Sequence, residues 1–151
     1  MFPASVRAEQ ERRGSRQAQA RRAAAGRFQR DLTEDAVAFI GERNSAYFAT
    51  ASADGQPYMQ HRGGPAGFLR VLDRRTIAFA NYAGNSQYIS LGNLTENERA
   101  FLFLMDYAGG RRLKLWGSAR VVSENGGDTI VFSVLAWDWN CSKHIPRLVA
   151  P

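Results

Sequence analysis

The feature that most restricts the fold of this chain is its punctuation. From residue 46 onward, short runs of aromatic, β-branched and small residues are separated by residues that favour tight turns. Residues 46–51 (AYFATA) read as a strand, and 57–61 as its return, with Pro57 at the start, where a missing N–H costs least. Between them lies Ala53-Asp54-Gly55, and Asp-Gly accepts the positive φ that a hairpin turn demands. Residues 68–72 and 76–81 make a second hairpin around Asp73–Arg75. Residues 100–106 (AFLFLMD) are almost continuously apolar, which predicts a strand buried on both faces. Ala108-Gly109-Gly110 turns that run into residues 112–123. A last strand is expected at 129–136 (TIVFSVLA), before the aromatic tail Trp137-Asp138-Trp139-Asn140.

Few helices interrupt this pattern. Thr33 is placed to cap one, Glu34 and Asp35 suit its positive first turn, and Leu32 can staple onto Val37. Ala36, Val37, Phe39 and Ile40 supply its apolar side, and it should end near residues 43–44. A second helix is expected over 86–91, stopped by Gly92-Asn93. Short strands with few helices point to an antiparallel barrel or sandwich.

The charge is unevenly spread. Residues 1–30 carry eight arginines against Glu9 and Glu11, so they hold the whole net charge of +6. In the remaining 121 residues twelve basic and twelve acidic side chains cancel. Two readings fit this arm. It is either a solvated helix with its alanines and Phe28 turned inward, or a basic arm neutralising nucleic-acid phosphates. It has no aromatic beyond Phe28 in its Arg-rich run for stacking on bases. The chain has no apolar run of signal-peptide or membrane-spanning character, and Cys141 is its one cysteine. A cytoplasmic setting is expected from these features, with no disulfide within the chain.

Little conventional catalytic apparatus is visible. Cys141 and His144 have a C-x-x-H spacing but lack companions for a four-ligand metal site, so no metal is expected. There is no nucleophile elbow and no phosphate-binding Walker loop. Two stretches carry more promise. Gln60-His61-Arg62-Gly63-Gly64-Pro65 ends a strand. Arginine presents a permanent cation with a planar fork suited to phosphate oxygens, and glycines let a backbone approach a ligand. An ordinary turn has the same composition. The second stretch, residues 81–88 (NYAGNSQY), joins a strand end to a helix start, whose free N–H groups favour an anion. Asn85 and Ser86 add donors there or simply cap the helix. In a small barrel the two stretches can converge on one anion. Residues 111–116 (RRLKLW) would then offer Arg112 and Lys114 to the polar edge of a ring system, or form an outward basic row.

The segment 42–122 resembles the pyridoxamine 5′-phosphate oxidase-related family of FMN-binding split barrels. The resemblance lies in YFATASADGQPYMQHRGGP, TIAFANYAGNSQYISLGNL, FLFLMDY and RRLKLWGSARVV. The tail AWDWNCSKHIPR and the arm RAEQERRGSRQAQAR are similar to those of one bacterial branch. The resemblance implies a mainly β (α+β) fold, a six-stranded antiparallel split β-barrel with flanking helices over residues 31–151, preceded by a helical arm at 1–30. It implies FMN as cofactor, held at the interface of a homodimer.

By position, the phosphate and ribityl contacts fall on Gln60, His61, Arg62 and Gly63. Ala80 and Asn81 match the strand end that passes the ring, and Asn85, Ser86 and Gln87 the phosphate loop. Arg112 matches a position that often carries a polar side chain facing the ring; Lys114 shares its side of the strand, and cationic donors there favour the reduced flavin. Trp139 and Asn140 match a tail that approaches the flavin from the other subunit. The expected function is flavin-dependent oxidoreduction of a small molecule, with no acid or base assigned. Alternatives are a module that holds flavin, deazaflavin or haem without turnover, and a nucleic-acid-associated protein acting through the arm. Two departures stand out: Ser86 occupies a position commonly arginine in the branch, and the interval from Val122 to Phe132 is short where the family usually has a helix. Residues that recognise pyridoxamine phosphate are not evident, so oxidation of vitamin B6 is not expected.

Overall fold

The computed structural model of the protein describes residues 2–82, 87–124, 126–141 and 143–148. Among the described residues seven strands form one antiparallel sheet: β1 (Ser45–Ala51), β2 (Pro57–Gly63), β3 (Arg70–Asp73), β4 (Thr76–Ala80), β5 (Arg99–Asp106), β6 (Arg111–Glu124) and β7 (Gly127–Trp139). Their order is β2-β1-β5-β6-β7-β4-β3. The resemblance implies six; the seventh is the four-residue edge strand β3, which pairs with β4 as the hairpin expected at 68–81.

Alternation decides what is inside. β1 buries Ala46, Phe48 and Thr50 and turns the residues between them outward. β5 behaves in the same way, against the expectation of burial on both faces. Its Ala100, Leu102 and Leu104 enter the core, while Phe101, Phe103 and Met105 lie half-buried on the opposite face. An antiparallel sheet needs only one covered face, so a continuous apolar run leaves its second set of side chains for another surface.

β6 and β7 form a direct hairpin, with Glu124 opposite Gly127. The short interval after Val122 thus continues the two strands, and its described residues hold no helix. β7 also runs through the tail expected to follow it. A bulge between the Gly117–Val134 and Trp116–Ala136 pairs leaves Leu135 unpaired and 55% exposed. One extra residue reverses the facing of everything beyond it. Phe132 and Val134 are therefore buried before the bulge, and Trp137 after it. The bulge depends on Gly117, where a Cβ would lie 2.2 Å from the Ser133 carbonyl oxygen and 2.5 Å from the Phe132 ring.

Four helices of the described residues flank the sheet: α1 (Ala4–Arg12), α2 (Arg16–Ala24), α3 (Glu34–Gly41) and α4 (Ile89–Glu96). α3 starts as expected, with the Ala36 N–H donating to Thr33 Oγ1 at 3.3 Å, and it buries Ala36, Phe39 and Ile40. α4 starts later than expected and continues through Gly92-Asn93. Glycine costs a helix about 1 kcal/mol relative to alanine. Here packing outweighs that cost, because Asn93 Nδ2 donates to the buried Thr50 hydroxyl at 3.0 Å and Leu94 enters the core.

The arm forms two short helices, broken at Gly14 (φ +69°), and neither buries a residue. It returns to the sheet through Phe28, which packs edge-on against Phe2 and Trp116 at 5.1 and 5.8 Å. The Trp137 N–H donates to the Gln29 carbonyl at 2.9 Å, and Arg27 reaches the buried Asp138 at 3.2 Å. Among the described residues no helix is long and apolar enough to cross a membrane.

Candidate functional site

The edge strand β2 and the far end of β4 are separated by a split in the sheet, and α4 lies over it. Tyr58, Gln60 and Arg62 share the half-buried side of β2 because they are two residues apart. Asn81 and Tyr82 follow β4, and Gln87 and Tyr88 precede α4; all line one cleft with the first turn of the helix. Arg62 Nη1 donates to Asn81 Oδ1 at 2.8 Å, and the Ser90 hydroxyl donates to Gln60 Oε1 at 3.4 Å.

Arg62 is the unusual group here. Its Nε–H is buried without an acceptor, and among the described residues no carboxylate lies within ion-pair distance. Burial pushes the guanidinium below its ordinary pKa, opposed in part by Tyr58. Arginine does not give up its proton in proteins. It therefore stays a cation, desolvated and with no carboxylate beside it among the described residues. No described side chain caps α4, whose N-cap residue Tyr88 sits in left-handed conformation (φ +52°). A bulky residue holds such a conformation at a cost of order 1 kcal/mol or more, and strain of this kind clusters at ligand clamps. The enclosed space is about 30 Å³, room for a water or a phosphate oxygen but not for a ring system.

The other sequence-predicted residues are distributed as follows. His61 points to the opposite face of β2 from Arg62, with its ring 5.8 Å from Tyr47. The glycines after Arg62 serve their own chain. A Cβ on Gly63 would lie 3.2 Å from the His61 ring, and one on Gly64 would lie 2.7 Å from Phe68. Ala80 ends β4 at the surface, and Gln87 lines the cleft. Asn85 and Ser86 lie outside the described residues.

Arg112, Lys114, Trp139 and Asn140 gather elsewhere, around the ends of β6 and β7. Arg112 donates to the Cys141 carbonyl through Nε at 3.0 Å and to the Lys143 carbonyl through Nη2 at 3.2 Å, and the Asn140 N–H donates to the Arg112 carbonyl at 2.9 Å. Lys114 Nζ lies 3.7 Å from Asp138. The Trp139 ring packs edge-on to Phe39 at 5.0 Å, with the Arg111 guanidinium 4.2 Å from its centre. Within one chain, then, the phosphate-type residues and the ring-facing residues occupy separate places.

The family model of pyridoxamine 5′-phosphate oxidase matches residues 32–138, most of the folded body. The chain belongs to the pyridoxamine 5′-phosphate oxidase family. Solved structures agree with this family in fold. A histidine variant of HupZ from Group A Streptococcus superposes with a TM-score of 0.58 at 17% identity, over 72% of this chain and 99% of that one. A family protein from Lactobacillus delbrueckii, described as a putative pyridoxamine 5′-phosphate oxidase, gives 0.58 at 18%, over 72% and 94%. An FMN-binding protein from Syntrophomonas wolfei gives 0.50 at 12%, over 68% and 81%. The curated proteins contain no match to the chain. The fold is thus the family's mainly β antiparallel split barrel with flanking helices. Sequence reasoning missed Tyr58, Tyr82 and Ser90 in the cleft. Alternation back from Arg62 through Gln60 would have found Tyr58; Tyr82 follows Asn81 at the end of β4, and Ser90 is carried in by the first turn of α4.

Proposed function

We propose that the chain is an FMN-binding oxidoreductase whose flavin phosphate is held at the split by Arg62. The observation that carries this reading is the half-buried guanidinium, desolvated and with an N–H left over. Asn81 orients that guanidinium, while Gln60, Gln87 and the uncapped first turn of α4 supply further polar groups. These groups fit a phosphate monoester. When bound, a flavin supplies hydride transfer at N5. The small-molecule substrate or electron donor is left open by this reading, and His61, turned away from the cleft, is assigned no proton. Ala80 and Gly63 border the same strand ends and take backbone roles in it.

The cleft is too small for the ring, so the ring must lie on surface supplied from elsewhere. A second copy of the chain is the partner that best supplies it. The outer side of β2, β1 and β5 presents Met59, Tyr47, Phe101 and Phe103, with Met59 64% exposed. A two-fold contact through this face would cover it twice and could bring the partner's β6–β7 end, with Arg112, Lys114, Trp139 and Asn140, to the flavin. The FMN-binding neighbour supports the choice of cofactor. The test is the absorbance spectrum and mass of the ligand released from freshly purified protein. Flavin absorbance near-stoichiometric with chain is expected; a haem or deazaflavin spectrum, or failure of apoprotein to take up added FMN, would overturn the reading.

A further inference from the structure

We propose that the groove between α1 and α2 of the N-terminal arm seats the phosphate backbone of a nucleic-acid duplex. The groove is lined wholly from residues 2–28, before the segment that matches the family. It shares no lining residue with the Arg62 cleft, nor with the set Arg112, Lys114, Trp139 and Asn140. The inference therefore stands apart from the flavin reading.

Burial against the body does not explain the two helices, because neither buries a residue. On α2, Arg16, Ala20 and Ala23 recur at the spacing of one helix face, and all three line a groove of about 310 Å³. Arg27, beyond the end of α2, continues the row, and Arg7 of α1 lines the same groove. Short alanine side chains between arginines leave room for a phosphate to reach the guanidinium groups. No acid lines the groove. Arg7 and Arg16 have no carboxylate within ion-pair distance among the described residues, whereas Arg12 and Arg13 share Glu9. The groove is also anchored. Arg27 is tied to Asp138 of the sheet at 3.2 Å, and Phe28 packs edge-on against Phe2 and Trp116 at 5.1 and 5.8 Å. The free cations thus sit on a docked base, which lowers the ordering cost of binding.

The rest of the arm narrows the partner. Its two aromatic rings, Phe2 and Phe28, are engaged in that packing, so none is left to stack on the bases of a single strand. Among its described residues Val6 is the one large apolar side chain at the surface, so it lacks an apolar face to enter a lipid layer. What it offers is cations for phosphates, whose neutralisation releases counterions.

The test is fluorescence anisotropy of a labelled DNA duplex titrated with the full-length protein across a salt series. The logarithm of the affinity should fall against that of the salt concentration with a slope of about −2 or steeper, at about −0.9 per phosphate neutralised. Arg7→Gln and Arg16→Gln should each flatten the slope by about 1 and weaken binding roughly five- to tenfold at about 0.1 M salt, with the circular dichroism unchanged. Arg12→Gln removes the same charge from a guanidinium already paired with Glu9, and should stay within about twofold. An RNA duplex run beside the DNA duplex names the source of the phosphates by which of them binds more tightly. Arg62→Ala should leave duplex binding within about twofold, because it lies in a separate cleft, so loss of FMN and loss of the duplex report on separate readings. A slope flatter than about −1, or losses in Arg12→Gln equal to those in Arg7→Gln and Arg16→Gln, would overturn the proposal. So would tighter binding of the single strand, or binding to phosphatidylserine vesicles without binding to either duplex.

Discussion

Arg62 on β2 and Asn81 beyond β4 are joined across the split in the sheet by a 2.8 Å bond from Nη1 to Oδ1. The bond uses one of the five guanidinium N–H groups and aims the rest at the cleft. Charge-assisted contacts contribute about 1.5–3 kcal/mol. Arg62→Ala should accordingly weaken FMN by roughly ten- to a hundredfold in a flavin-fluorescence titration. Asn81→Ala should weaken it less, because the charge survives and only its aim is lost. Unchanged affinity in Arg62→Ala would remove Arg62 from the phosphate site.

A basic residue restored at position 86 offers a complementary gain. Ser86→Arg should tighten FMN if the loop follows the branch it resembles. Equal or weaker binding would show that Arg62 already meets the phosphate's need for charge.

Gly117 should tolerate no side chain. A Cβ there would lie 2.2 Å from a backbone oxygen, which cannot swing aside as a flexible side chain can. Overpacking of this kind costs about 1–3 kcal/mol, so Gly117→Ala should lower the urea midpoint of unfolding visibly. A midpoint equal to that of the unaltered protein would mean that the bulge can shift to make room.

Asp106 should give stability a recognisable acid limb. The Gly109 N–H holds its carboxyl below the ordinary value, opposed by burial and helped by Arg43, which lies 3.5 Å away. A carboxyl lowered in the folded state stabilises the protein above its unfolded pKa of about 4, and that contribution is lost as pH falls through the lower native value. Urea midpoints measured between pH 3 and 7 should fall at the acid end, and less steeply in Asp106→Asn. Parallel curves for the two proteins would assign the acid limb to other groups.

The half-buried side of β5 tests the proposed dimer. Phe103→Asp should leave a folded monomer in sedimentation at low micromolar concentration, and FMN should bind at least about tenfold more weakly. A folded monomer with full affinity for FMN would end the idea of a shared site.

Much of the sheet was legible because period-two alternation and Asp-Gly or Gly-Gly turns are local signals. The strands around Phe48, Ile77 and Leu104 could be read from a few residues each. The remainder depended on tertiary contact. Nothing near Gly92 announces that Asn93 will find Thr50, so the helix was expected to stop there. Nothing near Trp137 announces a bulge at Leu135, so the tail was read as leaving the sheet. For the cleft, the approach of Arg62 to Asn81 was foreseeable from two strand ends with anion-friendly chemistry. The facing of His61 was equally foreseeable, since adjacent strand residues point opposite ways, but a motif treated as a block hides that parity.

The unpaired Leu135 makes strand register itself a determinant of chemistry. Drawing that residue into the ladder opposite Trp116, at unchanged chain length, would restore strict alternation, turning Asp138 toward the apolar interior and sending Trp137 and Trp139 out. A carboxylate now shared by two cations would arrive among leucines, and the indole N–H of Trp137 would lose its 3.0 Å bond to the Asp31 carbonyl. A one-residue slip of β7 against β6 would thus rewrite both the seal of the barrel and the wall facing the arm, while every residue kept its identity.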